Sequence, residues 1–329
     1  MGKVLVTGGA GYIGSHICKK LSQRGFQPVT YDNLSRGASA HVQWGPLVVG
    51  DIRETTQLTE LLKVEKPLAV IHLAAFAYVG ESVEQPLAYY QNNVSGTLSL
   101  LQAMKEAQIN KLVFSSTCAT YGVAEKIPLN ESCSQKPINP YGWSKWMVEQ
   151  ILKDFSHQED FHFCSLRYFN AAGADADGDI GESHNPEPHI IPNAILAAMG
   201  KIPELAIFGN DYPTKDGTCI RDFIHVEDLA EAHILVLEKL LKNEKIENFY
   251  NLGLNKGFSL LEILQTVEKV TGKKVPYRFE KRRPGDPPEL VATSEKFMRD
   301  FQWKPQYPLL ENMIHSAYQW FQKQNAMTQ

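Results

Sequence analysis

Residues 3–32 read KVLVTGGAGYIGSHICKKLSQRGFQPVTYD, and this stretch decides the fold class. Lys3–Thr7 is a short apolar run of β-forming residues, and Tyr12–Arg24 has its apolar residues at helical spacing. A second strand is predicted at Gln27–Tyr31, directly before Asp32. A strand, a glycine turn, a helix, a second strand and then an acid form the order of a βαβ nucleotide-binding unit.

The turn between the first strand and the helix has a glycine at every third position, namely Gly8, Gly11 and Gly14. Glycine lets the backbone turn tightly and approach a pyrophosphate, which the amide groups at a helix N-terminus can bind. Asp32 is placed to accept hydrogen bonds from the adenosine ribose hydroxyls, which favours NAD over NADP. Arg36 follows closely in sequence and could pair with the 2′-phosphate of NADP, so NADP stays open as an alternative. We therefore predict a dinucleotide site for NAD.

The alternation of strands and helices continues along the chain. Strands are predicted at Leu47–Val49, Ala69–Leu73 and Leu112–Ser116, with helical patterns at Thr55–Lys63 and Pro86–Gln108. This order predicts an α/β fold, a Rossmann-type doubly wound parallel sheet. Small or polar residues follow successive strands, as expected if a ligand lies across the carboxyl edge of the sheet: Gly50, Ala74 and Ser115.

Residues 139–150, NPYGWSKWMVEQ, predict a helix that begins at Asn139 and Pro140. Tyr141 and Lys145 would then lie one turn apart on the same helix face. A free tyrosine has a pKa near ~10, but an ammonium about 5 Å away favours the phenolate by roughly 3 kcal/mol at an effective dielectric of about 20. The pair fits a tyrosine base assisted by a lysine, and an ordinary amphipathic helix stays open as the alternative. The hydroxyl-rich residues 115–121 offer a hydroxyl for a substrate oxygen, or form a serine-rich turn.

Composition limits the kinds of partner. The net charge of the 329 residues is −4, with no basic block, which argues against nucleic acid and anionic membrane. The five cysteines are scattered without a CxxC motif, and no apolar run reaches membrane-spanning length. We expect reduced thiols, a cytoplasmic location and no bound metal.

The second half predicts a smaller α/β substrate-binding domain. Residues 173–188 are rich in Gly, Pro and Asp and indicate a loop that leaves the sheet. We expect an NAD-binding domain at residues 1–172, a substrate domain at residues 173–329, and a return of part of 218–252 to the first domain. A capping box is predicted from Ser259 and Glu262.

These motifs resemble the extended short-chain dehydrogenase/reductases, through TGGAGYIG at Thr7–Gly14, the hydroxyl after the fifth strand and Tyr141-x-x-x-Lys145. Within that family the chain is most similar to the UDP-hexose 4-epimerases. The resemblance runs through GYIGSH, VGESVEQPLAYYQNNV, YGWSKWMVEQIL, RYFNAAGA, LAIFGNDYPTKDGTCIRDFIHVEDL and RRPGD.

The resemblance implies an isomerase that interconverts UDP-galactose and UDP-glucose, in galactose metabolism and in the supply of sugar nucleotides for cell-surface polysaccharide. Hydride would pass from sugar C4 to bound NAD and return to the opposite face of a 4-keto intermediate. Thr117, Tyr141 and Lys145 would be the catalytic hydroxyl, base and assisting cation. The implied cofactor contacts are Gly8, Gly11, Tyr12, Ile13, Gly14, Asp32, Asn33, Asp51, Ile52, Leu73, Ala74, Asn92, Ser115, Tyr141, Lys145 and Tyr168. The implied sugar-nucleotide contacts are Thr117, Tyr141, Asn170, Ala206, Phe208, Arg221, Arg283, Asp286 and Leu290.

The sequence departs from the family pattern at three places. Threonine stands at 117, where serine is frequent, and Ala77 and Tyr78 occupy the region of a cofactor-contacting lysine. Leu290 stands where some members have a tyrosine facing the sugar C2 substituent. Epimerisation of UDP-arabinose and UDP-xylose, or of UDP-N-acetylglucosamine, therefore stays open.

The residues at and after Thr117 bear on which related activities remain open. Sugar-nucleotide 4,6-dehydratases resemble this chain but have Asp-Glu directly after the threonine, and UDP-glucuronate decarboxylases have a glutamate at the second of these positions. This chain has Cys118 and Ala119 there, which cannot do the same acid–base chemistry. An ordinary dehydrogenase that releases NADH stays open. A non-catalytic NAD sensor would not need Thr117, Tyr141 and Lys145 together. The resemblance also implies a homodimer through helices Pro86–Gln108 and Tyr141–Phe155, with Leu98, Leu101, Trp146 and Ile151 as candidate contacts.

Overall fold

Strands and helices alternate along most of the chain, which the computed structural model describes for residues 2–123, 126–157, 160–283 and 286–327. The strands are β1 (Lys3–Thr7), β2 (Gln27–Asp32), β3 (Leu47–Val49), β4 (Ala69–His72), β5 (Lys111–Thr117), β6 (His162–Tyr168), β7 (Asn170–Ala172), β8 (Leu205–Phe208), β9 (Ile220–His225), β10 (Phe249–Leu252), β11 (Gly257–Ser259), β12 (Tyr277–Glu280) and β13 (Glu289–Leu290). The helices are α1 (Tyr12–Gln23), α2 (Thr55–Glu65), α3 (Val79–Glu84), α4 (Pro86–Tyr89), α5 (Gly96–Glu106), α6 (Pro140–Ser156), α7 (Ile190–Ala198), α8 (Val226–Leu241), α9 (Leu260–Thr271), α10 (Glu295–Phe301) and α11 (Leu310–Met327).

A seven-stranded sheet has the order β3-β2-β1-β4-β5-β6-β10, and its neighbouring strands pair in parallel. The first six strands follow the doubly wound order, in which the chain runs outward twice from the centre. The predicted α/β class with a Rossmann-type parallel sheet is therefore confirmed. The carboxyl ends of β1, β4 and β5 lie at the same edge of the sheet, and the candidate site lies at that edge.

Both faces of this sheet are covered. In β1, Val4 and Val6 point into a core shared with α1 and α8, whereas Leu5 points into the opposite core shared with α2, α5 and α6. This alternation follows from the two-residue period of a strand. A parallel strand buried on both faces therefore consists almost entirely of apolar residues, which is what KVLVT shows.

The remaining elements form a second unit. β7, β9, β11 and β13 make one small sheet, β8 and β12 pair separately, and α7, α9 and α11 pack around a second core. α8 packs against α1, and β10 is the edge strand next to β6. The division at residues 172 and 173 stays a prediction. No helix among the described residues is both long and apolar enough to cross a membrane.

The predicted helix Pro86–Gln108 is interrupted. α4 passes into a π-helical turn at Tyr90–Ser95 before α5 begins. Such a turn holds one more residue than an α-helical turn and is frequent at functional sites. It buries Asn92 and Asn93 and directs both towards the carboxyl edge of the sheet.

The glycine turn packs tightly against its surroundings. Gly8 has φ +74°, and a Cβ there would lie 2.7 Å from the backbone nitrogen of Ala74. A Cβ on Gly14 would lie 2.1 Å from the carbonyl oxygen of Gly8. Any side chain at residue 14 would therefore force α1 away from the turn.

We predict that Gly14→Ala lowers the free energy of unfolding by about 1–3 kcal/mol, the usual range for overpacking. Gly80→Ala, in α3, is the matched control because a Cβ there meets no atom within 4 Å and alanine is the better helix former by about 1 kcal/mol. Urea unfolding measures both. Equal stability of the two variants would contradict the predicted close packing of α1 on the turn.

Candidate active site

The N-terminus of α1 offers free backbone amides to an anion. Gly11 is the N-cap residue and supplies no side-chain cap, and the first turn of α1 contains no acid. The helix dipole and the unpaired N–H groups both favour a negative group there. Ile13, in the first turn, packs partly into the core. The hydroxyl of Tyr12 donates a 2.6 Å hydrogen bond to the carbonyl of Gly173, so this turn also contacts the start of the second unit.

Asp32 lies beside this turn at the end of β2. Its carboxylate accepts hydrogen bonds from the backbone N–H groups of Ala10 at 3.1 Å and Leu34 at 2.8 Å. Burial raises the pKa of Asp32, and the two backbone hydrogen bonds oppose that shift. Each carboxylate oxygen has a second lone pair, so the group can still accept from ribose hydroxyls.

The residues that follow β3 and β4 lie at the same edge. Asp32 and Val49 are register partners, which places Asp51 close to Asn33, whose side chain donates to Asp51 at 3.0 Å. Hydrogen bonds from Arg53 hold the pKa of Asp51 well below its usual value. Ile52 is buried against Gly96, and the backbone N–H groups of Leu73 and Ala74 donate to Thr7, beside Gly8.

Arg36 is paired within the protein. Its guanidinium forms an ion pair with Glu81 and lies 4.8 Å from the ring centre of Tyr78. A 2′-phosphate would have to share this arginine with a carboxylate of like charge. The arrangement therefore favours NAD, which has a free 2′-hydroxyl.

The π-helical turn holds the loop after β4. Asn92 donates from its amide to Asn93 at 3.0 Å. Asn93 in turn accepts from the backbone N–H of Phe76, donates to the carbonyl of Phe76, and donates to Ser144 on α6. Sequence analysis predicted a role for Asn92 and missed Asn93, whose three contacts depend on residues distant in sequence.

Four candidate side chains meet at the carboxyl ends of β5 and β6. Thr117 and Tyr168 are register partners, the hydroxyl of Thr117 donates to the carbonyl of Tyr168 at 3.4 Å, and the side chain of Thr117 lies near enough to Tyr141 to lower its pKa. The hydroxyls of Ser115 and Tyr168 also form a hydrogen bond. The Asn139 side chain caps α6 by accepting from Gly142 at 2.8 Å, which sets the start of the helix that carries Tyr141.

The expected lowering of the Tyr141 pKa is wrong for the protein on its own. Burial raises the pKa of Tyr141 to about 12, while the nearby side chain of Thr117 lowers it only in part. Burial also lowers the pKa of Lys145 to about 7, although the charge of Glu149 opposes that shift. The Lys145 ammonium donates to the carbonyl of Ser115 at 2.8 Å. For both groups, the effect of desolvation on the pKa is larger than the effect of the Tyr141–Lys145 attraction that their spacing suggested.

A buried ion pair beneath these residues was missed by sequence analysis. Arg167, in β6, donates to Glu149, in α6, at 2.8 and 2.6 Å, and both side chains are almost fully buried. Ser116 donates to the same carboxylate at 2.6 Å, and Tyr121 accepts from Arg167 at 2.9 Å. Glu149 is one turn beyond Lys145, a spacing that could have indicated it.

The small sheet of the second unit continues the site. β7 begins two residues after Tyr168, and the Asn170 side chain donates to the carbonyl of Asp222 at 2.8 Å. Leu290 and Arg221 are register partners in β13 and β9. Asn170, Arg221 and Leu290 therefore lie on neighbouring strands that lead away from Tyr168.

An arginine-rich group lies farther out. Arg221 forms an ion pair with Asp286. Asp286 also donates its backbone N–H to Arg283, whose guanidinium stacks 3.9 Å from the ring centre of Phe208. Ala206 is two residues before Phe208 in β8, and Pro284 and Gly285 of the RRPGD motif lie outside the described residues.

These residues fit NAD and a sugar nucleotide. A turn that only glycine can occupy leads into uncapped amides for a pyrophosphate, and Asp32 can accept from ribose hydroxyls. Two arginines on the second unit match diphosphate oxygens. Between these two regions lie Thr117, Tyr141 and Lys145, which can bind a hydroxyl and move its proton.

Comparison with known proteins agrees with this geometry. Residues 4–253 match the model of the NAD dependent epimerase/dehydratase family. A UDP-glucose 4-epimerase of Rhizobium leguminosarum bv. trifolii is 50% identical over 322 residues, covering 98% of each chain.

Solved structures give the same result. UDP-glucose 4-epimerase from Brucella ovis in complex with NAD is 47% identical, with a TM-score of 0.94 and 98% of each chain covered. An enzyme of the same name from Stenotrophomonas maltophila, with NAD and formylated UDP-arabinopyranose, is 39% identical with a TM-score of 0.94, covering 99% of this chain and 100% of the other. The expected relationship to UDP-hexose epimerases is confirmed, and this chain belongs to the NAD dependent epimerase/dehydratase family.

Proposed function

We propose that this protein is a UDP-glucose 4-epimerase that interconverts UDP-galactose and UDP-glucose with NAD as its bound cofactor. The observation that carries the proposal is the meeting of Thr117, Tyr141 and Tyr168 at the strand ends, between the uncapped α1 and the arginines of the second unit. The high identity to UDP-glucose 4-epimerases over nearly the whole chain supports the same activity.

The base in this proposal is Tyr141. Thr117, whose side chain lies near Tyr141, orients the sugar 4-oxygen, and Tyr141 removes the proton from the 4-hydroxyl. The pKa of Tyr141 is about 12 in the protein alone, even with Lys145 on the next turn of α6. The phenolate therefore needs further positive charge, which a bound cationic nicotinamide would add. When bound, NAD would supply the redox chemistry: hydride would leave sugar C4 as Tyr141 takes the hydroxyl proton, and it would return to the other face of the 4-keto sugar as Tyr141 gives the proton back.

The sugar is bound through its nucleotide. Arg221 and Arg283 bind the diphosphate, with Asn170, Ala206, Phe208 and Asp286 as further contacts. Arg221 must then exchange some of its contact with Asp286 for phosphate oxygens. A diphosphate bound in this way leaves the sugar ring free to turn, so that both faces of C4 can meet the cofactor.

The residue test uses Tyr141→Phe. We expect a loss of activity of about 10³-fold or more, because phenylalanine cannot take the proton, while UDP binding stays within about threefold of the parent. The assay measures UDP-glucose formed from UDP-galactose without added NAD. Tyr277→Phe, on the exposed strand β12, is the matched control and should keep full activity. Activity of Tyr141→Phe within tenfold of the parent would refute the assignment, and continuous NADH release would favour an ordinary dehydrogenase.

We also propose a homodimer through α5 and α6. Leu98 is 48% exposed and Trp143 is 37% exposed, which leaves apolar surface on both helices. Trp146 and Ile151 are partly buried. Leu101 was wrongly expected at such a surface, because it is 2% exposed and belongs to the core of the monomer.

Leu98→Arg should convert the dimer into a monomer at micromolar concentration, because it places an unpaired charge in an apolar interface. Val64→Arg is the control, since Val64 is more exposed and lies on α2. Light scattering measures both masses. A monomeric parent protein, or a Leu98→Arg variant that stays dimeric, would exclude this interface.

Sugar selectivity is proposed to depend on Leu290, which is partly buried in β13 beside Arg221. Leucine fills part of the space that an N-acetyl group at C2 needs and offers no hydrogen bond to it. We therefore expect UDP-glucose and UDP-galactose to be the main pair. UDP-arabinose and UDP-xylose lack the C6 group and lose contacts without a clash.

Leu290→Ser should raise kcat/KM for UDP-N-acetylglucosamine relative to UDP-glucose by about 10–100-fold, the usual range for pocket discrimination. Leu309→Ser, at an exposed position, is the control. Kinetics on the three substrate pairs decide the matter. A parent that prefers N-acetylated sugars, or an unchanged ratio in Leu290→Ser, would show that Leu290 does not set selectivity.

A further inference from the structure

Two histidines and two glutamates converge in the loop between β7 and α7. The spacing is Glu-x-His-x-x-Glu-x-His, at Glu182, His184, Glu187 and His189. One ligand atom from each side chain lies within 4.8 Å of the other three. This group, the 182–189 cluster, is separate from the residues assigned above to the sugar nucleotide and the cofactor.

The ligand atoms alternate around the cluster. His184 Nδ1 lies 3.1 Å from Glu182 Oε1 and 3.7 Å from Glu187 Oε2. His189 Nδ1 lies 3.3 Å from Glu187 Oε1 and also contacts Glu182 Oε1. Each imidazole nitrogen therefore faces both carboxylates.

Three of these separations, 3.1, 3.3 and 3.7 Å, are close to the ligand spacing around a four-coordinate transition metal, whereas His189 and Glu182 lie closer together. Zinc binds histidine nitrogen and carboxylate oxygen at roughly 2.0–2.2 Å, so neighbouring corners of its tetrahedron lie about 3.3–3.5 Å apart. Mixed imidazole and carboxylate ligands suit zinc and its neighbours in the first transition series better than Ca²⁺ or Mg²⁺, which prefer six or more oxygen ligands.

The surroundings give the cluster shape and access. The carbonyl of Glu182 accepts from the indole of Trp320 at 2.9 Å, and the Asn193 amide donates to the carbonyls of Glu187 and His189 at 2.9 Å. A cavity of about 20 Å³ beside the cluster is lined by Glu182 and His189, and also by Asn170, which is assigned above to the sugar nucleotide. A cavity of that size holds one water-sized occupant. The His189 side chain is partly exposed, which opens a path from solvent.

We propose that the 182–189 cluster binds one divalent transition-metal ion per chain, with zinc as the fitting probe. The ion would take one ligand atom from each of the four side chains. It would fix the loop against Tyr12 and Tyr78, whose rings lie 6.4 and 5.9 Å from that of His184. The site would therefore stabilise the region where the second unit meets the glycine turn, and it does not depend on the proposed catalytic function.

A second group of acids serves as an internal comparison. Asp175, Asp177 and Asp179 also converge, but the ammonium of Lys19 lies 2.8–3.0 Å from all three carboxylates. The lysine already neutralises this group, so we expect it to bind no transition metal.

The test uses the full-length protein, purified with its cofactor and dialysed against a chelator. Calorimetric titration with ZnCl₂ should give one site per chain, and Ca²⁺ or Mg²⁺ should give none. Replacing zinc with Co²⁺ should give the intense visible absorption of four-coordinate cobalt. Absence of stoichiometric zinc binding, or a weak octahedral cobalt spectrum, would overturn the proposal by showing that the cluster is only a set of ion pairs.

Variants locate the bound ion. His184→Gln and Glu187→Gln should each weaken zinc binding on the order of a hundredfold. His162→Ala, which removes a surface histidine paired with Asp160 at 2.7 Å, and Asp177→Asn should leave it unchanged. Circular dichroism verifies that each variant is folded. Equal zinc affinity in His184→Gln and the parent would place the metal elsewhere and refute the site.

Discussion

The buried ion pair between Glu149 and Arg167 is the contact on which the candidate active site depends. Glu149 is 0% exposed and Arg167 is 3% exposed, so neither charge can be satisfied by water. Two direct hydrogen bonds join them, Ser116 and Gln135 also donate to Glu149, and Tyr121 accepts from Arg167. Breaking one partner of such a pair typically costs about 3–5 kcal/mol, because the other charge stays buried and unpaired. The pair therefore holds α6 in one position against β5 and β6.

This position sets the chemistry. Glu149 lies one turn beyond Lys145, and Arg167 directly precedes Tyr168. The same contact therefore fixes the helix that carries the proposed base and the strand whose partner is Thr117. Burial that makes the pair rigid also desolvates Tyr141 and Lys145. In the protein alone this moves their pKa values apart, to about 12 and about 7, and away from the charges that the proposed proton transfer uses. Added positive charge in the filled site would act against that shift.

The second unit begins at the same carboxyl edge of the large sheet and carries the residues proposed to bind the sugar nucleotide. β7 starts almost directly after β6, so the small sheet that carries Asn170, Arg221 and Leu290 extends from the ends of the catalytic strands. The loop between β7 and α7 returns to the glycine turn, where Tyr12 donates to Gly173 and lies beside His184. The residues proposed to bind the cofactor and those proposed to bind the sugar nucleotide are thus joined by short connections. The chemistry between them requires this proximity.

Features that depend on neighbours along the chain could be predicted from the sequence. The glycine spacing and the apolar strands gave the parallel sheet, the capping residues Asn139 and Ser259 gave two helix starts, and the Tyr141–Lys145 spacing gave the helix face of the proposed base. How these residues behave could be seen only in the folded chain, because charge, burial and pairing depend on residues far away in sequence. Folding raised the pKa of Tyr141 instead of lowering it, buried Leu101, paired Arg221 with Asp286, and inserted a π-helical turn at Asn92 and Asn93. Spacing along one helix cannot report desolvation, since the atoms that exclude water from Tyr141 and Lys145 belong to other strands and helices.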